Sequence, residues 1–202
     1  MNAPLVEHGM AKVGAGVYLA AAAQPAAACG AARTAGLKGF VAPDRAALRR
    51  VETAGDAYFA SAAAPFLTAL APPPDAPFSA VAAKLLVAPF DARVKGRALK
   101  LVPFSFARAT PVTELRGGWA VFATRSRTAR VSLADGETLT VRPEALVAWL
   151  GPAPTGFCPK LRLLDLLLPR LPRTLAFSFH GPATVWFEGA AQPPRRTHGL
   201  RA

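Results

Sequence analysis

Leu175-Ala176-Phe177-Ser178-Phe179-His180-Gly181-Pro182-Ala183-Thr184-Val185-Trp186-Phe187-Glu188 is the stretch whose reading decides the architecture of this chain. Leu175, Phe177 and Phe179 alternate with small or polar residues, so an extended strand places them on one face. Gly181-Pro182 interrupts the run with a turn signal. Thr184–Phe187 then resumes as a second apolar strand.

The same texture reaches back to Phe78. Candidate strands are Lys84–Ala88, Ala98–Phe106, Trp119–Thr124, Thr128–Leu133, Thr138–Val141, Leu146–Leu150, Thr174–His180 and Thr184–Phe187. Ala134-Asp135-Gly136-Glu137 reads as a hairpin turn, because Asp-Gly accepts positive φ at low cost. Gly117-Gly118 is a further turn signal. Phe104, Phe106, Trp119 and Phe122 read as core. Lys160–Leu168 is compatible with a short amphipathic helix closed by Pro169 and Pro172. Short strands at this spacing predict a sandwich or a barrel.

Before Phe78 the large apolar side chains thin out and alanine dominates. Alanine buries little area and contributes little to a core, so the dependable core is placed in the second half. Residues 1–42 read as a low-complexity Ala/Gly segment, irregular or weakly helical. Asp44 can cap a helix through Arg45–Glu52, with Leu48 and Val51 sharing a face. Gly55 ends it, and Asp56 can cap a second helix through Tyr58, Phe59, Phe66 and Leu70, flawed by Pro65. Pro72-Pro73-Pro74 is the linker candidate. The expected division is 1–42 low-complexity, 43–77 helical with a Pro-rich linker, 78–191 β-rich and 192–202 a basic tail. The expected fold class is mainly β: a β-sandwich or barrel-like domain in the C-terminal half, preceded by an Ala/Pro-rich, partly helical region. No period of 20–50 residues repeats, which argues against solenoids and propellers.

The 24 Lys and Arg residues exceed the 12 Asp and Glu residues, for a formal charge of +12. Such a surface attracts phosphate backbones and anionic head groups. Arg far outnumbers Lys amid abundant Ala, Pro and Gly, so compositional drift accounts for the same excess. Two cysteines, Cys29 and Cys158, with no short spacing exclude a disulfide framework or a cysteine-rich metal site, and leave a single bridge open only in an exported chain. His8, His180 and His198 are scattered. The uncharged Val13–Ala32 stretch holds Pro25 and several glycines, so neither a spanning helix nor a secretory signal is expected. The expected location is cytoplasmic, with peripheral contact to an anionic membrane open to the basic groups.

No common catalytic kit occurs. A phosphate-cradling loop ending in Lys-Ser/Thr, a Gly-x-Ser-x-Gly elbow and a His-Glu-x-x-His pair are all missing. Gly14-Ala15-Gly16 lacks the third glycine of a dinucleotide fingerprint. Cys158 and His180 read as a structural thiol and a strand-end residue, because nothing nearby in sequence activates the thiol. Glu188, after Trp186-Phe187, reads as a solvated rim residue. No catalytic residue, metal or cofactor is expected, and no small-molecule substrate is identified.

The basic groups are the remaining candidates. Arg125, Arg127 and Arg130 lie where two strands meet, and Arg93, Lys95 and Arg97 form a second set. On a strand, Arg125 and Arg127 would project from one face toward phosphates. Stacking aromatics, which single-stranded nucleic acid wants among them, are missing.

Two stretches carry a family resemblance. The first is Gly117-Gly118-Trp119-Ala120-Val121-Phe122 followed by Leu133–Trp149 with its Asp135-Gly136-Glu137 turn, and the second is the closing pair Leu175–Glu188. Together they resemble the family of the altered inheritance of mitochondria protein 24 and its bacterial relatives, over about half the chain. The closing turn reads Gly181-Pro182-Ala183 where the family has Gly-x-Gly. The resemblance implies an all-β fold similar to the tryptophan RNA-binding attenuator superfamily, self-association, and no catalytic residues. The functional expectation is a non-enzymatic binding or scaffold protein forming homo-oligomers. The alternative is nucleic-acid or anionic-membrane binding through the basic surface.

Overall fold

The computed structural model describes residues 3–20, 25–36, 49–62, 64–71, 78–90, 95–100, 109–157 and 176–189. The N-terminal strands are β1 (Leu5–Glu7), β2 (Met10–Val13), β3 (Gly16–Ala20), β4 (Ala27–Ala28), β5 (Ala32–Gly36), β6 (Arg49–Thr53), β7 (Ala57–Ala60) and β8 (Phe66–Leu70). There follow β9 (Phe78–Val81), a 3-10 turn (Ala82–Lys84), β10 (Leu85–Pro89), β11 (Lys95–Lys100), β12 (Ala109–Leu115), β13 (Ala120–Thr124) and β14 (Thr128–Leu133). The last are β15 (Thr138–Val141), β16 (Leu146–Leu150), β17 (Thr155–Phe157), β18 (Ala176–His180) and β19 (Ala183–Glu188). The protein is mainly β, in several antiparallel sheets with sandwich character. Among the described residues no helix is long and apolar enough to cross a membrane.

The sheet orders repeat. One six-stranded sheet runs β5-β6-β3-β10-β13-β8, and the other runs β11-β12-β9-β16-β19-β14. The second order is the first with every strand advanced by six. Advancing β11-β12-β9 once more gives β17-β18-β15, the three-stranded sheet; setting β10-β13-β8 back gives β4-β7-β2, which with β1 is the four-stranded sheet. The chain therefore runs one six-strand course three times, β3–β8, β9–β14 and β15–β19. The third course has five described strands, and N-terminal β2 takes the sixth position. It pairs with β7 as β8 pairs with β13 and β14 with β19. Even the irregularities recur, with register shifts between Leu85 and Val87 and between Leu146 and Ala148. Leu85 to Leu146 is 61 residues, longer than the 20–50-residue periods of short repeats.

Three cores hold the sheets together. Phe78, Leu85, Phe122, Val147 and Trp186 fill the space between the two six-stranded sheets. Val13, Tyr18, Phe59, Val87 and Trp119 join the four-stranded sheet to the first of them. Leu139, Trp149, Phe177, Phe179 and Val185 join the three-stranded sheet to the second. The central strands β10, β13, β16 and β19 are thus covered on both faces and read as nearly continuous apolar runs. Leu85–Pro89 is buried at every position. Outer-sheet strands alternate instead, as in Ala57–Ala60 and Thr138–Val141.

The helical N-terminal region is corrected by the structure. Residues 49–53, expected inside a capped helix, form β6, with Val51 and Thr53 buried and Arg49, Arg50 and Glu52 exposed. The expected second helix is replaced by β7 and β8. Val51 and Thr53, Ala57 and Phe59 repeat at period two, and β-branched residues favour a pleated surface. Asp56, read as a helix cap, instead forms an exposed ion pair with Lys12 at 2.7 Å. The first segment carries β1 to β5 in place of irregular or weakly helical chain. Sheets also cross the expected boundary at Phe78, since β3 pairs with β10 and β8 with β13. The Pro72-Pro73-Pro74 linker, Lys160–Leu168, Phe104, Phe106 and the 192–202 tail lie outside the described residues.

The Ala134–Glu137 turn forms, with Gly136 at φ +78° and Glu137 donating its N–H to Ala134 at 3.1 Å. It is not a hairpin: β14 pairs with β19 and β15 with β18, so the turn carries the chain between sheets. Phe59 and Phe122 are both fully buried, in different cores. Phe59→Ala is expected to cost about 3–5 kcal/mol, as does Phe122→Ala, within one denaturant transition. A Phe59→Ala loss below about 1 kcal/mol would mean that the N-terminal strands are an appendage.

Candidate anion-binding cleft

The repeat brings like ends together. Ala60, Thr124 and Glu188 close β7, β13 and β19, each opposite the first residue of its partner strand. Ser61, Arg125 and Gly189 come next. Lys84 stands immediately before β10 and Ala145 immediately before β16. Ser61, Lys84, Arg125, Ala145, Glu188 and Gly189 line one cleft of about 470 Å³, with Arg142 and Glu144 beside them. The same joints of successive courses meet there with different side chains.

A lysine before a doubly covered strand has nowhere to go but the strand's end. The 3-10 turn Ala82–Lys84 delivers the Lys84 ammonium to the cleft wall. There it pairs with the Glu188 carboxylate and donates to the Glu144 carbonyl at 2.6 Å. The side chains of Lys84 and Glu188 are only 14% and 11% exposed. Glu188 also accepts the Arg125 backbone N–H at 2.6 Å, and its own N–H donates to the Ala145 carbonyl at 2.8 Å. Thr124 ties the adjoining turn, its hydroxyl 2.8 Å from the Ser126 carbonyl. Burial pushes the Lys84 ammonium below its usual pKa; the Glu188 carboxylate opposes that shift, and the nearby Arg125 guanidinium adds to it.

The expectation for Glu188 is corrected. A strand-end glutamate reads as solvated, but here the ends of two courses close over it. Arg125 and Arg127 also depart from expectation, since they sit in the turn between β13 and β14 and not on one strand face. Arg125 enters the cleft. Arg130 lies on β14 with its guanidinium 5.6 Å from the ring centre of Trp186, a contact within the chain. Lys95 and Arg97 belong to β11, across the sheet from β14. Arg93 and Cys158 lie outside the described residues, and His180 is exposed at the end of β18. Trp119 and Phe122 are buried, unavailable for stacking on bases. Sequence reasoning did not assign Lys84, Arg142 and Glu144 to a site. Lys84 carried a signal, as the charged residue directly before an unbroken apolar run.

Among the described residues, no group of three His, Cys, Asp or Glu side chains could hold a metal ion. A second cleft of about 430 Å³ contains the Lys12–Asp56 pair, which at the surface is worth little.

Removing one member of a buried pair strands the other charge. Glu188→Gln is therefore expected to lower unfolding free energy by about 3–5 kcal/mol. Lys84→Met also removes the titration. The unfolded chain holds the Lys84 proton more tightly between the lowered native pKa and the usual 10.5. Raising pH through that window should stabilise the native chain relative to Lys84→Met, read as the difference between their denaturation midpoints. A difference that stays flat would place Lys84 in water.

No family model and no curated protein matches the chain. Among solved structures it is similar to protein SPYM3_0169 from Streptococcus pyogenes, with a TM-score of 0.67 and 14% identity. The similarity covers 94% of this chain and 93% of that one, and at this identity it shows the fold alone.

Proposed function

We propose that the chain is a non-enzymatic binding scaffold that takes an anionic group of its partner in the cleft between strand ends. One observation carries the reading: Lys84, Arg125 and Arg142 line the same cleft. Cations with low-dielectric walls behind them raise the local concentration of anions. The acidic groups there are engaged, Glu188 by Lys84 and Glu144 by Arg142 at 3.6 Å. Lys84 spends its described hydrogen bonds on Glu144 and Glu188, which favours holding over proton transfer. Kinship with the altered inheritance of mitochondria protein 24 family belongs to the same proposal, as that family has no assigned catalytic residue. Nucleic acid and anionic lipid have less support, because Arg130 is drawn onto the chain's own Trp186.

Self-association is a second reading. It is favoured by the outer edges of β8 and β14, with which no described strand pairs. An unpaired edge is a template for pairing. Sedimentation of the full chain should then give an oligomer, and a monomer at high concentration would remove this reading.

The cleft reading predicts a thermal shift. At fixed ionic strength, one of phosphate, sulfate, acetate or propionate should raise Tm by about 5–10 °C at a hundredfold excess over Kd. Arg125→Ala combined with Arg142→Ala should abolish the shift. An equal shift in the double variant, or none in either protein, would sink the reading.

A further inference from the structure

We propose that the ligand of this cleft is a monoanionic carboxylate on a short apolar body, held jointly by Lys84 and Arg125. The inference rests on the anion-binding reading and names the ligand class within it.

Unspent donors come first. An ammonium has three N–H groups. Lys84 uses two, on the Glu144 carbonyl and the Glu188 carboxylate. The Arg125 guanidinium makes no ion pair among the described residues. It offers a planar fork that matches a carboxylate edge. It also sits close enough to Lys84 for the two charges to repel. An anion between them relieves that repulsion and accepts from both.

Charge then selects the anion. The cleft holds three cations, Lys84, Arg125 and Arg142, against two carboxylates, Glu144 and Glu188. One negative charge brings the sum to zero. A dianion overshoots and faces two carboxylates of its own sign. The remaining wall is mostly small and apolar, with Ala64, Ala83, Ala123 and Ala145 beside Ser61, Ser126 and Gly189. A volume of about 470 Å³ suits a small ligand with an apolar body and one charged group. The site is also single. Where Arg125 stands, the other courses carry Ser61 and Gly189, so one of three like joints has the fork.

Two sources share this chemistry, a free short-chain acid and the C-terminal carboxylate of a small-residue peptide. Calorimetric titration of the full chain with propionate, with N-acetyl-Ala-Ala and with inorganic phosphate, at a pH where phosphate is a dianion, separates the cases. At least one carboxylate should bind about tenfold tighter than phosphate, a factor worth about 1.4 kcal/mol. Tighter propionate would identify a free acid, and a tighter peptide a chain terminus. Arg125→Lys keeps the charge but loses the fork, and should weaken carboxylate binding about tenfold with the unliganded Tm unchanged. Glu144→Gln adds positive charge and should narrow the gap to phosphate. Phosphate binding as tightly as both carboxylates would overturn the assignment while leaving the anion-binding reading intact. Unchanged carboxylate affinity in Arg125→Lys would overturn it as well. Failure of all three ligands to bind would overturn both readings.

Discussion

Burial of the central strands on both faces is the constraint from which the rest follows. β10, β13, β16 and β19 lie between two cores each, and Val87, Val121, Leu146 and Val185 are wholly buried. Along such a strand a charged side chain would sit unsolvated on either side, at a cost of several kcal/mol. Charge is therefore excluded from the strand bodies and collects at their ends. Lys84, Arg125 and Glu188 each stand at such an end. Their grouping is a consequence of packing before it is a matter of ligand binding.

The threefold course of the chain turns that exclusion into a site. Because each course pairs its last strand with the fifth strand of the next, equivalent strand ends are brought together. The frame is symmetric in topology, but its joints are not symmetric in chemistry. Serine, arginine and glycine occupy one position in successive courses, and alanine, threonine and glutamate occupy the one before it. A buried pair between Lys84 of the second course and Glu188 of the third locks two courses together. Removal of either partner is thus a question of stability as much as of binding.

Legibility in the sequence differed between the halves for a physical reason. Leucine, valine and aromatic residues after Phe78 carry period and turn signals strong enough that Thr128–Leu133, Thr138–Val141 and Leu146–Leu150 match their strands end to end. Alanine before Phe78 has a small side chain that fits helix and sheet alike. Phe59 sits on a buried face among alanines, and Val51 between Arg50 and Glu52, but three-residue spacing such as Leu48 to Val51 reads as helical there. Arg125 was legible as a candidate because it belongs to a run of cations where two strands meet. Its partners were not, since Lys84, Arg142 and Glu188 come from three distant joints.

The sequence by itself determined that the second half is built of short strands, that Gly136 and Gly181 mark turns, and that Trp119 and Phe122 belong inside. These are local matters, settled by side-chain period, backbone φ and transfer of apolar surface from water. Tertiary structure alone decided that the alanine-rich segment is sheet, that one six-strand course recurs across the chain, and that Glu188 is enclosed. Each of those depends on which strand lies beside which, and residues 61 positions apart occupy equivalent places without sharing a pattern that periodicity can detect. Backbone hydrogen bonding is nearly indifferent to side-chain identity, so the frame repeats while the residues at its joints diverge.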